Sequence, residues 1–138
     1  MCNADNSGAL KSMTKQIIST AKAPAAIGVY SQAARVGNII WVSGQIPLDP
    51  ATKELVSGDM ESQVRQVFRN LQAIVEAAGA QLDDVVKATV YLIDLSHFAL
   101  VNRVMAEYFR EPYPARAAVG VVGLPRGAQI EVECVVAL

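Results

Sequence analysis

Histidine occurs once in this chain and cysteine twice, among 138 residues. A Ser-His-Asp or Cys-His arrangement needs its imidazole beside a nucleophile. His97 falls instead in the first turn of an expected helix with no special neighbour, and reads as a partly exposed helix-start residue. Metal centres need clusters of Cys, His or carboxylate, and one histidine with one core cysteine does not make one. No G-x-G-x-x-G or Walker loop is present, which argues against a nucleotide cofactor. Cys2 lies in a polar stretch and Cys134 on the apolar face of an expected strand, so no disulfide framework is indicated and a reducing compartment fits. No apolar run approaches the ~20 residues of a membrane helix. The opening M-C-N-A-D-N-S-G lacks the basic start and apolar core of a signal peptide. Positive charge is not in excess either: the net charge is −1 and the pI about 5.8. The twelve Lys and Arg are scattered rather than gathered into the patch a nucleic-acid binder shows. The chain reads as a soluble cytoplasmic protein that works without nucleic acid or membrane. What remains is chemistry by arginine, glutamate, hydroxyls and backbone groups, which suits attack of water on an already reactive, electrophilic carbon.

What is present is apolar: 52% of residues are hydrophobic and 18% charged. A chain of this length folds as one domain and buries about two thirds of its unfolded surface. A mean hydropathy of +0.28 points to apolar surface covered by another subunit. Residues 1–14 show no periodicity and are expected to form a flexible N-terminal tail, with a single domain over 15–138. Lys15 to Thr20 holds a short strand. Ser31–Val36 and Ile39–Ser43 form a hairpin about Gly37-Asn38, and the continuously apolar Ile39–Val42 belongs to the sheet's centre. Asp59 to Ala78 is the clearest helix. Met60, Val64, Val67, Leu71, Ile74, Val75 and Ala78 form its apolar stripe, with Asp59 as cap and Gly79 beyond its end. Val85–Ile93 alternates as a strand, and a second helix follows over about His97–Phe109, with Ser96 as its cap. The pattern predicts an α+β sandwich with about six strands and both helices on one face.

The stretch Pro112–Val136 carries two apolar runs around Leu124-Pro125-Arg126-Gly127. Each holds a charge that a buried strand would not want. Alternation puts Ile130, Val132, Cys134 and Val136 on one face and Glu131, Glu133 and Val135 on the other. If the two strands pair or lie close, Arg116 and Glu131 converge at one sheet end. Arg116 is then a bidentate carboxylate clamp, a surface residue at a strand start, or the internal partner of Glu131. Glu131 is a general base or water-positioning group if buried, or a solvated edge residue if not. Tyr30 offers a hydroxyl or a ring wall, Ser43 a pocket donor or a buried hydrogen bond, and Asn102 a ligand contact or a loop cap.

These residues lie within longer matches. Tyr30-Ser31-Gln32-Ala33, Val42-Ser43-Gly44-Gln45-Ile46-Pro47-Leu48-Asp49-Pro50, Ala77-Ala78-Gly79-Ala80, Asp84-Val85-Val86-Lys87, Phe98-Ala99-Leu100-Val101-Asn102, Pro114-Ala115-Arg116, Leu124-Pro125-Arg126-Gly127-Ala128 and Ile130-Glu131-Val132-Glu133 follow one another in unbroken order. Over about residues 15–138 the chain resembles the RidA (YjgF-type) family. The resemblance implies a chorismate-mutase-like fold and a homotrimer with sites between subunits. It also implies hydrolysis of 2-imino acids (2-iminopropanoate and 2-iminobutanoate, from enamines) to 2-keto acids and ammonia, with no metal or organic cofactor. By position, Arg116 would hold the substrate carboxylate and Glu131 activate water, while Tyr30, Ser43, Asn102 and Ala118 would line the pocket. Ala118 stands where many members carry cysteine, and Val29 replaces the usual proline before the tyrosine. Two further readings stand beside this one: a non-catalytic carboxylate-binding trimer with a regulatory or chaperone-like role, and a ribonuclease or translation inhibitor, against which the acidic pI speaks.

Overall fold

The computed structural model describes residues 14–138. The tail expected over residues 1–14 therefore lies, apart from Thr14, outside them, as does Cys2. Six strands form one mixed sheet: β1 (Gln16–Ile18), β2 (Ala33–Val36), β3 (Ile39–Gln45), β4 (Val85–Leu92), β5 (Ala115–Gly120) and β6 (Ile130–Ala137). Their spatial order is β1-β2-β3-β6-β4-β5. Neighbours are antiparallel except β4 and β5, which run parallel. Parallel partners need a crossover, and the second helix supplies it.

Helix α1 (Met60–Ala77) forms where the apolar stripe predicts it. Val64, Val67, Leu71, Ile74 and Val75 are fully buried, with Phe68 beside them. Each such side chain contributes about 1.5–3 kcal/mol of transfer free energy. Asp59 caps the start by accepting the Ser62 amide at 2.9 Å, and that bond holds its carboxyl below the usual range. The chain leaves the helix through Gly79 at φ +82°, a left-handed turn that costs glycine little.

Helix α2 (Phe98–Tyr108) packs beside α1 on the same sheet face. Phe68 joins the two, with its ring 5.6 Å from that of Tyr108 and 5.9 Å from that of Phe109. Ser96 is not the cap expected of it. A single 3₁₀ turn, Leu95–His97, precedes α2, and Asp94 accepts the Ser96 amide at its start. The first unsatisfied amide is thus Ser96's own, which makes Ser96 the donor.

The core lies between the helices and one sheet face, where Ala88, Val90 and Leu92 of β4 meet Ile130, Val132, Cys134 and Val136 of β6. Burial pushes the Cys134 thiol up to about 12, so it remains protonated and unreactive. Strand β3 is interior to the sheet, as its apolar run suggests. Trp41 nevertheless points to the helix-free face and stays 49% exposed. An unbroken apolar run does not reveal which of its residues face the core.

The expected approach of Arg116 to Glu131 does not occur within one chain. Strand β4 lies between β5 and β6. Arg116 is in register with the core-facing Ala88, whereas Glu131 is in register with Tyr91, which points the other way. The two charges leave opposite faces of the sheet.

Candidate functional site

On the helix face, the guanidinium of Arg116 meets α2. Its Nη1 donates to Asn102 Oδ1 at 2.5 Å and approaches Met105 Sδ at 3.6 Å. Its carbon sits 4.9 Å from the centre of the Phe98 ring, within cation–π range. Among the described residues no carboxylate pairs with it, although Arg65, Arg103 and Arg110 all have carboxylate partners. One edge of the fork is therefore held by protein while Nη2 and Nε remain for an anion. Arg116, Asn102, Met105, Ala106, Tyr113 and Pro114 line a cleft of about 430 Å³. Ala118, two residues on and on the same face, packs against the core and is not part of the cleft wall.

On the helix-free face, Tyr30, Ser43, Gly44, Arg126, Glu131 and Glu133 line a larger cleft of about 760 Å³. Three features build it. The buried Gln32 gathers the backbone ahead of Tyr30, accepting from Thr20 N and donating to the carbonyls of Thr20, Ala23 and Pro24. An irregularity between Val42 and Gln45, which pair with Cys134 and Val132, inserts one extra residue into β3. Such a bulge lets two consecutive residues share a face, so Ser43 and Gly44 both look towards the cleft while Gln45 returns to the core. Asn70 of α1, also buried, donates to the carbonyls of Ile46 and Leu48 and fixes the cleft's far wall.

Glu131 accepts no hydrogen bond and forms no ion pair among the described residues. Burial, and secondarily the charge of Glu133, pushes its carboxyl above the ordinary range, which is what a carboxylate base at neutral pH requires. It fits only because position 44 has no side chain: a Cβ there would lie 2.6 Å from Glu131 Oε1. The Ser43 hydroxyl donates to Ser31 O at 2.5 Å, so its oxygen faces the cleft as an acceptor. The Tyr30 hydroxyl accepts the Ile27 amide at 3.3 Å. Arg126 and Lys53, both with left-handed backbones, are tied to each other by Arg126 Nη1 donating to Lys53 O at 2.8 Å.

The candidate residues thus fall into two groups. Arg116 and Asn102 share one cleft, Tyr30, Ser43 and Glu131 the other, and Ala118 packs against the core and lines neither. His97 belongs to neither; its Nδ1 is buried without a partner at the start of α2. Sequence reasoning passed over Phe98, Gly44 and Tyr91. Phe98 was legible as an aromatic one helical turn before Asn102, where i and i+4 side chains meet. Gly44 and Tyr91 depend on pairing between distant strands and had no local signal. Among the described residues no group of three His, Cys, Asp or Glu is placed to hold a metal, and no helix is long and apolar enough to cross a membrane.

Comparison with known proteins agrees with this architecture. The family described as Endoribonuclease L-PSP matches residues 20–138. A RutC family protein of Pyrococcus abyssi is 55% identical over 123 residues, 89% of this chain and 97% of the relative. The 2-iminobutanoate/2-iminopropanoate deaminase of Bos taurus is 47% identical over 126 residues, 91% and 92% of the two chains. The crystal structure of RidA from the Antarctic bacterium Psychrobacter superposes with a TM-score of 0.86 at 53% identity, covering 89% of this chain and 99% of that one. With its six-stranded sheet, two helices and near-complete coverage, the chain belongs to the RidA (YjgF-type) family.

Proposed function

We propose that this protein is a hydrolytic deaminase of reactive 2-imino acids, with each active site assembled from the Arg116 cleft of one copy and the Glu131 cleft of another, in a homotrimer. The observation that carries this reading is the unpaired Arg116 fork, one edge held and the other open. An open planar edge matches a carboxylate through two parallel hydrogen bonds. Glu131 supplies the complementary function. It takes a proton from water as the water oxygen bonds to C2 of the imine. The imine nitrogen takes up one proton as the carbinolamine forms and a second from the Glu131 carboxyl. The new hydroxyl then loses its proton as the C–N bond breaks, which releases ammonia and leaves a 2-keto acid. A small imino acid touching both residues cannot do so on one chain, because a sheet separates them. The exposed Trp41 and Tyr30 on the helix-free face favour a second copy there. The name of the Bos taurus relative supports the reaction class.

The test is complementation. Arg116→Ala and Glu131→Gln should each lose at least ~100-fold in kcat/KM for an imine generated by a serine/threonine dehydratase. Co-expressed, they should form mixed oligomers in which about a quarter of the sites hold both intact residues. No recovery on mixing would place a complete site on one chain and refute the shared assembly. Full activity of Arg116→Ala would refute the clamp. The family description Endoribonuclease L-PSP raises a second outcome, RNA cleavage with steep salt dependence. A third is binding of 2-ketobutyrate with no acceleration of imine loss, the mark of a binding module.

A further inference from the structure

Glu131 is one of two carboxylates on its strand face. Glu133 lies two residues along β6, leaves the sheet on the same side and lines the same cleft. Tyr91 fixes it in place. The register sets Tyr91 across from Glu131, yet its hydroxyl leans along the strand and donates to Glu133 Oε1 at 2.7 Å. No cation pairs with Glu133 among the described residues, so its position is set by a neutral donor that leaves its charge uncancelled. The other titratable groups on this face are few. Tyr30 comes from the loop before β2. Arg126, from the turn before β6, is directed at Lys53 O. Lys87 stands towards the far end of β4, in register with Val135. Strand β3 brings no titratable group: Ser43, Gly44 and Gln45 are the residues with which it lines the cleft.

We propose that Glu133, held by Tyr91, is a positioning residue for Glu131, its fixed negative charge keeping the neighbouring carboxylate a competent base towards water. The proposal rests on the reading of Glu131 as the group that activates water. Two carboxylates two residues apart on one strand face cannot both ionise as easily as one, and a base gains driving force as its proton affinity approaches the working pH. The direction agrees with the rise at Glu131, to which Glu133 contributes after burial. The Tyr91 phenol is pushed up in turn, first by donating to Glu133.

Glu133→Gln tests this, because glutamine keeps the shape and the acceptor for Tyr91 while removing the charge. The Glu131 carboxyl carbon is followed by NMR against pH in the assembled protein, its signal assigned by loss in Glu131→Gln. In Glu133→Gln its midpoint should fall by on the order of half a pH unit. The acid limb of kcat/KM should move down with it and the plateau should drop a few-fold. Glu133→Asp, which keeps the charge, should hold the midpoint near that of the wild type. An unmoved midpoint in Glu133→Gln overturns the proposal, as does a loss of thermal stability with no change in the titration. The underlying reading fails separately: if Glu131→Gln hydrolyses imine at the wild-type rate, Glu131 is not the base, whatever its midpoint.

Discussion

Gly44→Ala is the smallest change that should disable the site while leaving the fold intact. The backbone at Gly44 lies outside the left-handed region, so alanine can adopt it. The added methyl would meet Glu131 at 2.6 Å from Oε1, 2.9 Å from Cδ and 3.1 Å from Cγ. Returning the oxygen to an ordinary contact of 3.4 Å requires a displacement of about 0.8 Å. The atoms in the way are the end of a flexible side chain, so the fold yields there instead of breaking. Losing glycine's freedom in the unfolded chain adds about 0.4–1 kcal/mol of stability, which offsets the crowding, and Tm should move by only a few degrees. Catalysis is less forgiving. A base misplaced by about 1 Å costs on the order of 100-fold in rate, roughly 2.7 kcal/mol in barrier height. Steady-state hydrolysis of enzymatically generated imine should show that loss in kcat, alongside an unchanged circular dichroism spectrum. In a Glu131→Gln background the same change should cost nothing further, because the group through which it acts is already gone. Wild-type kcat in Gly44→Ala, or an additive loss in the double variant, would refute the reasoning.

Two further predictions concern the rest of the framework. Phe98→Leu removes the ring beneath the Arg116 guanidinium, an interaction of about 0.5–2 kcal/mol. KM should rise roughly 2- to 30-fold with kcat little changed, and an unaltered KM would show that the ring does not orient the fork. Asn70→Ala strands the carbonyls of Ile46 and Leu48 at the cleft wall and should cost about 1–3 kcal/mol, measured as a lower urea midpoint; an unchanged midpoint would mean water replaces the amide.

Wherever one element decides its own structure, the sequence was legible. The stripe of α1 is a period-3.6 pattern with its own cap, Gly37-Asn38 closes a hairpin between adjacent strands, and the alternation of β6 separates Glu131 from the core residues beside it. Strand order was not legible, because pairing between β6 and β4, or β4 and β5, joins segments distant in sequence that carry no local mark of one another. That gap misplaced the relation between Arg116 and Glu131. Each was rightly singled out as a charge in an apolar strand. Which face each occupied depended on Ala88 and Tyr91, three residues apart on β4 and therefore of opposite parity. The cap of α2 failed for a smaller reason: a 3₁₀ turn capped by Asp94 precedes the helix and takes in Ser96, and α2 itself begins after His97 with no side-chain cap.

The extra residue in β3 has a consequence for how this strand tolerates change in length. A deletion of Gly44 would return the strand to unbroken alternation and a full ladder against β6, with Gln45 still opposite Val132 and facing the core. By the ordinary measure of sheet regularity that would be an improvement. It would also close the gap that Glu131 occupies. Selection for a tidier strand and selection for the cleft therefore pull in opposite directions at this one position, and a shortened variant that folds well should be the one that has lost its chemistry.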